Sequence, residues 1–103
     1  MNKRHEFNAL LVKILGNEDR VYFQPPEGLK MEYPCIRYSR YDLDVKNADN
    51  VSYLKTQCYQ VIYIDKKPDN EIVDKILETF PMASFDRHYR ADNLNHDIFT
   101  VYY

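Results

Sequence analysis

Leu54-Lys55-Thr56-Gln57-Cys58-Tyr59-Gln60-Val61-Ile62-Tyr63-Ile64-Asp65 is the stretch on which the fold turns. From Cys58 onward its apolar residues occupy both parities, with Tyr59, Val61 and Tyr63 on one and Cys58, Ile62 and Ile64 on the other. Aromatic and β-branched residues at this density favour a strand. A strand that is apolar on both sides belongs inside a sheet. Residues 54–65 are therefore expected at the centre of the sheet, covered on both faces.

The flanking segments supply the other elements. Phe7, Leu10, Leu11 and Ile14 fall at i, i+3, i+4 and i+7, which is one stripe of a helix over 3–15, with Gly16 where a left-handed residue ends it. Val21-Tyr22-Phe23 reads as a short strand stopped by Pro25-Pro26, and Tyr33 through Tyr41 as a second that begins near an edge because Pro34 cannot donate to a ladder. Asp69 or Asn70 is placed to cap a second helix, whose buried stripe is Ile72, Val73, Ile76, Leu77 and Phe80 and whose end is Pro81. Two closing strands, 82–89 and 97–103, are joined by the polar stretch 90–96. The order α-β-β-β-α-β-β predicts an α+β domain spanning 1–103, a mixed and mostly antiparallel sheet packed with two helices. The stretch 42–53 carries turn formers and acids without Gly or Pro, and a connection this long is expected to be functional or an extended arm.

Charge and cysteine usage narrow the function. The chain has 103 residues, with Lys+Arg 14 against Asp+Glu 16 and a net charge of −2. That balance disfavours a general nucleic-acid binder, which needs surplus cations to displace phosphate counterions, and a basic membrane-surface role fails for the same reason. Cys35 and Cys58 lie in apolar surroundings without metal or redox spacing, so both are expected to be reduced core thiols of a cytosolic protein. Met1 to Glu6 lacks an apolar stretch ending in a cleavage site, and no run approaches the ~20 apolar residues of a spanning helix.

Candidate chemistry is thin. Asp86, His88, Asp92, His96 and Asp97 form the densest set of ligand types, but their spacing matches no metal motif. Ser39, Ser52 and Ser84 lie in no glycine-flanked elbow, and the two glycines cannot build a phosphate loop. Pairing of Cys58 with His88 or His96 is the remaining nucleophilic arrangement. No catalytic residue, metal or cofactor is expected. Arg37 and Arg40 instead stand among Tyr33, Tyr38 and Tyr41, and Arg87 and Arg90 flank Tyr89. Arg and Tyr are the types enriched at protein interfaces, and interleaved they also suit single-stranded nucleic acid. The acidic total favours the interface. Its expected members are Arg37, Tyr38, Arg40, Tyr41, Asp42, Asp44, Asp49, Asn50, Arg87, Tyr89, Arg90, Asp92 and Asn93.

Val21-Tyr22-Phe23-Gln24-Pro25-Pro26, Met31-Glu32-Tyr33-Pro34-Cys35-Ile36, Tyr59-Gln60-Val61, Ile64-Asp65, Pro68-Asp69, Phe85-Asp86-Arg87 and Ala91 to His96 resemble small head–tail joining proteins of long-tailed bacteriophages and prophages, of the tail-terminator or tail-completion type. The resemblance implies a virion structural subunit that forms a hexameric ring, caps the major tail-tube protein and offers a docking face to the head connector. It implies assembly in the bacterial cytoplasm and residence at the tail–head junction. It brings no catalytic residue. The alternatives are a head-closure or adaptor subunit, a small metal-dependent enzyme using Asp86, His88 and His96, and a nucleic-acid-binding module. The free chain is expected to associate weakly, with the loop 42–53 ordering as the ring assembles.

Overall fold

The computed structural model describes residues 3–41, 57–67 and 70–103. Helix α1 (Lys3–Leu15) leads through one turn of 3-10 helix to strand β1 (Val21–Phe23), followed by β2 (Cys35–Arg40), β3 (Cys58–Asp65), helix α2 (Ile72–Thr79), β4 (Ala83–Ala91) and β5 (Leu94–Tyr102). The five strands form one sheet in the order β1-β2-β3-β5-β4. β1 runs parallel to β2, and every other pair is antiparallel. This is the expected α+β class.

Both helices sit on one face of the sheet. Phe7 and Leu11 of α1 and Ile76 and Phe80 of the α2 segment pack on Ile36, Tyr38, Tyr59, Val61, Tyr63, Phe99 and Val101, all of one parity by register. Phe7 is the centre of this core: its ring stacks on Tyr59 at 4.4 Å and meets Tyr38, Phe80 and Tyr103 at 5.1–5.4 Å. Local chemistry ends the helices as anticipated. Gly16 takes φ +84° and its N–H donates to the Val12 carbonyl, a conformation that a Cβ would strain. Asn70 Oδ1 accepts from the N–H groups of Ile72 and Val73 and so caps α2.

Three boundary readings change. β3 is the central strand, but among the described residues no helix covers its second face. There Cys58 and Ile64 are buried and Ile62 is half-buried, with Arg37 and Ile98 flanking Ile62, and Cys35 and His96 flanking Ile64. Among the described residues, apolar content on both parities thus marks a central position and not a second helical layer. β2 is interior, because β1 pairs with it from Ile36 to Tyr38, and Pro34 lies outside the strand where its missing N–H breaks no ladder. The polar stretch 90–96 is mostly strand. Only Asp92 (φ +53°) and Asn93 (φ +63°) turn the chain, a pair of left-handed residues that matches the right-handed twist of a two-residue hairpin. The loop reading of 42–53 lies outside the described residues.

Candidate interaction surface

β4 forms one margin of the sheet. Its residues pair with β5 on one side and with no described strand on the other, and every residue from Ser84 to Ala91 is exposed. Phe85 (43% exposed), Tyr89 (37%) and the adjacent Met82 (44%) place apolar surface along this open margin. A bulge between Phe85 and Arg87 re-aims the strand. Its extra residue, Asp86, is held on the hairpin, with Thr100 Oγ1 donating to Oδ2 at 2.6 Å and Ser84 Oγ to Oδ1 at 3.4 Å. Bulges and charged side chains are the devices by which natural edges avoid indiscriminate pairing.

Beyond the bulge the side chains sort by face. Arg87 and Tyr89 lie on the helix-free face, opposite Ile98 and His96. Tyr89 stacks on His96 with ring centroids 4.5 Å apart and 5° between planes, and Arg87 lies 5.3 Å over the Tyr89 ring. Successive registers extend this row across the sheet as Tyr22–Arg37–Ile62–Ile98–Arg87. Two exposed guanidiniums thus bracket two isoleucines, roughly 14 Å apart at three strand spacings.

On the helix side of the same hairpin lies a polar pair that parity reveals and composition hid. Asp97 is 4% exposed and directly opposite His88, whose Nδ1 stands 2.6 Å from Asp97 Oδ1. Tyr63, the register neighbour of Asp97 on β3, donates its hydroxyl to Asp65 at 2.7 Å. Burial raises the Tyr63 hydroxyl well above the usual tyrosine range, and its bond to Asp65 and the nearby Asp65 and Asp97 carboxylates add to the effect. Asn95, also buried, ties the hairpin to the end of β3 by donating to the Asp65 and Lys66 carbonyls. Counting back in twos from Phe99 and Val101 aims Asp97 and Asn95 inward, which was the available signal. For Asn95, reading 90–96 as a loop suppressed it.

The expected residues scatter. Arg37, Arg87 and Tyr89 share the helix-free face. Arg40 is exposed with the opposite parity, followed by exposed Tyr41. Arg90 is exposed on the helix side of β4, and Asp92 and Asn93 form the exposed hairpin tip. Tyr38 does not belong with them: it is 2% exposed in the core, and its hydroxyl donates to Asn8 Oδ1 at 2.6 Å and accepts from Arg4 Nη1 at 3.3 Å. Its neighbours Arg37 and Ser39 are polar, and it shares its parity with buried Ile36 and exposed Arg40 alike, so alternation alone left its direction open. Asp42, Asp44, Asp49 and Asn50 lie outside the described residues.

The arrangements proposed for catalysis separate. His88 and His96 point to opposite faces, and Asp86 is committed to Thr100 and Ser84. Among the described residues no three His, Cys, Asp or Glu side chains converge as metal ligands. Cys58 pairs with Tyr102 at the far end of β3 from His96, which pairs with Ile64, and both cysteines lie on the opposite face from His88. Burial pushes the Cys35 thiol up to about 11 against the smaller opposing pull of Arg37 and Arg20, so it is protonated at neutral pH. A groove of about 290 Å³ between the helices is lined by Leu10, Lys13, Ile14, Lys75, Glu78 and Thr79. Searches against protein-family models, curated proteins and solved structures find no match.

Proposed function

We propose that this chain is a non-enzymatic structural subunit of the head–tail junction of a long-tailed bacteriophage or prophage, a ring-forming tail terminator. It caps the tail tube with one surface and presents another to the head connector. The observation that carries this reading is the nine-residue edge strand β4, exposed along its length and bearing Phe85, Arg87, Tyr89 and Arg90, in a segment that also carries part of the resemblance to joining proteins. Surface aromatics and arginines on a rigid edge suit a subunit whose work is recognition.

The mechanism is geometric. A tube grows while each ring offers the surface that the next ring binds, and it stops when the last subunit binds downward but presents a different surface above. Assembly in the bacterial cytoplasm and retention at the tail–head junction follow from that role. The test is deletion of the coding sequence from an inducible phage, with particles viewed by negative-stain electron microscopy. Overlong tails without heads are expected. Tails of normal length that fail to join heads would move the protein to head closure, and normal infectious virions would end the proposal.

A further inference from the structure

We propose that the start of α1 and the adjoining end of β2 form an anion site, in which Arg4 and Arg40 are the cations, the Tyr59 hydroxyl is a third donor and the ligand is a phosphate group. The site lies on the helix side of the sheet, and ligand binding there goes beyond the assembly role. Lys3 and Arg4 open α1, with Glu6 as the acid of its first turn. The N-terminus of a helix is the positive end of its dipole, where cations are unfavourable and anions are held.

Arg4 shares its helix face with Phe7 and Asn8, three and four residues on, and is directed at the sheet, whereas Glu6, two residues on, does not face it. Its guanidinium lies 4.4 Å over the Phe23 ring and donates to the Tyr38 hydroxyl at 3.3 Å. Arg40 follows Tyr38 on the same face of β2, about 7 Å along the strand. It is exposed, and among the described residues it is in no ion pair. Two elements distant in sequence thus bring cations to one end of the core.

The Tyr59 hydroxyl is what points to a ligand. Tyr59 stands directly opposite Arg40 in register and is 2% exposed, its ring stacked on Phe7 and set edge-on to Tyr38. The hydroxyls of Tyr38 and Tyr63 both donate to a side-chain oxygen. That of Tyr59 has no hydrogen-bond partner among the described residues, although buried hydroxyls are nearly always bonded. Burial raises it above the usual tyrosine range, and Arg40 and then Arg4 pull it back, which sets the hydroxyl within the field of both guanidiniums. Those neighbours only donate, so they cannot accept its proton. An anion held by both supplies the missing acceptor. Two guanidiniums and a hydroxyl match the roughly two negative charges and three acceptor oxygens of a phosphate group better than the single charge of a carboxylate.

The experiment is calorimetric titration of the full-length chain with inorganic phosphate at neutral pH, with sodium chloride holding the ionic strength constant. A single saturable site is expected. Arg40→Gln and Tyr59→Phe should each weaken it about tenfold or more, the loss that goes with one hydrogen bond to a charged group. Arg90→Gln, at an exposed arginine of the β4–β5 hairpin, should leave it unchanged. Thermal melts separate binding from folding. In phosphate-free buffer Tyr59→Phe should melt no lower than the parent, because the hydroxyl it removes is unpaired, and added phosphate should raise the melting temperature of the parent but not of the variant. Glycerol phosphate run beside inorganic phosphate distinguishes a phosphomonoester from the free ion as the preferred form of the ligand. Absence of saturable binding, binding by Tyr59→Phe as tight as by the parent, or weakening by Arg90→Gln equal to that by Arg40→Gln would each overturn the site. Acetate binding as tightly as phosphate would overturn the choice of ligand.

Discussion

His88→Ala removes the imidazole that stands 2.6 Å from the Asp97 carboxylate. The Asp97 side chain is 6% exposed and that of His88 40%, and the neighbouring Tyr63 hydroxyl is donated to Asp65. Leaving a fully buried charge without its partner costs about 3–5 kcal/mol, whereas losing a hydrogen bond to a charged group costs about 1.5–3 kcal/mol. The imidazole is open enough for water to enter the space it vacates, so the lower range applies and about 2 kcal/mol is expected. For a domain of this size that lowers the melting temperature by about 8–16 °C. Asp97→Asn keeps the shape and removes the charge. Combined with His88→Ala it should therefore be less damaging than the sum of the single changes by about 1 kcal/mol. Urea titrations and thermal melts of the four proteins at neutral pH measure the cycle. A His88→Ala loss below about 0.5 kcal/mol, the range of ordinary surface changes, or strict additivity would refute the pairing as a stabilising contact.

Three further expectations follow from the packing and the turn. Phe7→Ala removes the ring that stacks on Tyr59 and touches Tyr38, Phe80 and Tyr103; it should cost about 3–5 kcal/mol in urea titrations, and a loss under about 1 kcal/mol would displace Phe7 from the centre of the core. Because Asp92 and Asn93 both have positive φ, Asp92→Val should cost about 1–2 kcal/mol in thermal melts while Asn93→Gly is tolerated; equal effects would argue against the two-residue turn. Burial raises the Tyr38, Tyr59 and Tyr63 hydroxyls, and it carries the Cys35 thiol from 9.0 to about 11. Each of these groups holds its proton more tightly in the folded state, so their contribution is complete below pH 9 and is lost as pH rises through the raised values. Cys35 alone accounts for up to about 3 kcal/mol of this, so Cys35→Ala should flatten the decline between about pH 9 and 11. Stability that stays constant to pH 11 in the parent protein would contradict the burial of these groups.

Much of this fold was local in origin and therefore legible in the sequence. The spacing of Phe7, Leu10, Leu11 and Ile14, the glycine after them, the Asn70 cap and the alternation through Cys58–Ile64 each act over a few residues. They suffice for two helices, a central strand and the α+β class. What depended on partners distant in the chain was not legible. Whether Tyr38 faces the helices or solvent is decided by Phe7 and Asn8, thirty residues away in the chain, and whether Ile62 and Ile64 lie beneath a second layer depends on where the helices pack. The turn at Asp92–Asn93 was hidden because polar residues suit strands and loops alike until pairing fixes the register. Once β5 pairs with both β3 and β4, Asp97 meets His88 and the exposed side chains divide between two faces. Only the tertiary structure could decide this, because a residue's parity acquires an inside and an outside only when a second element is packed against the strand.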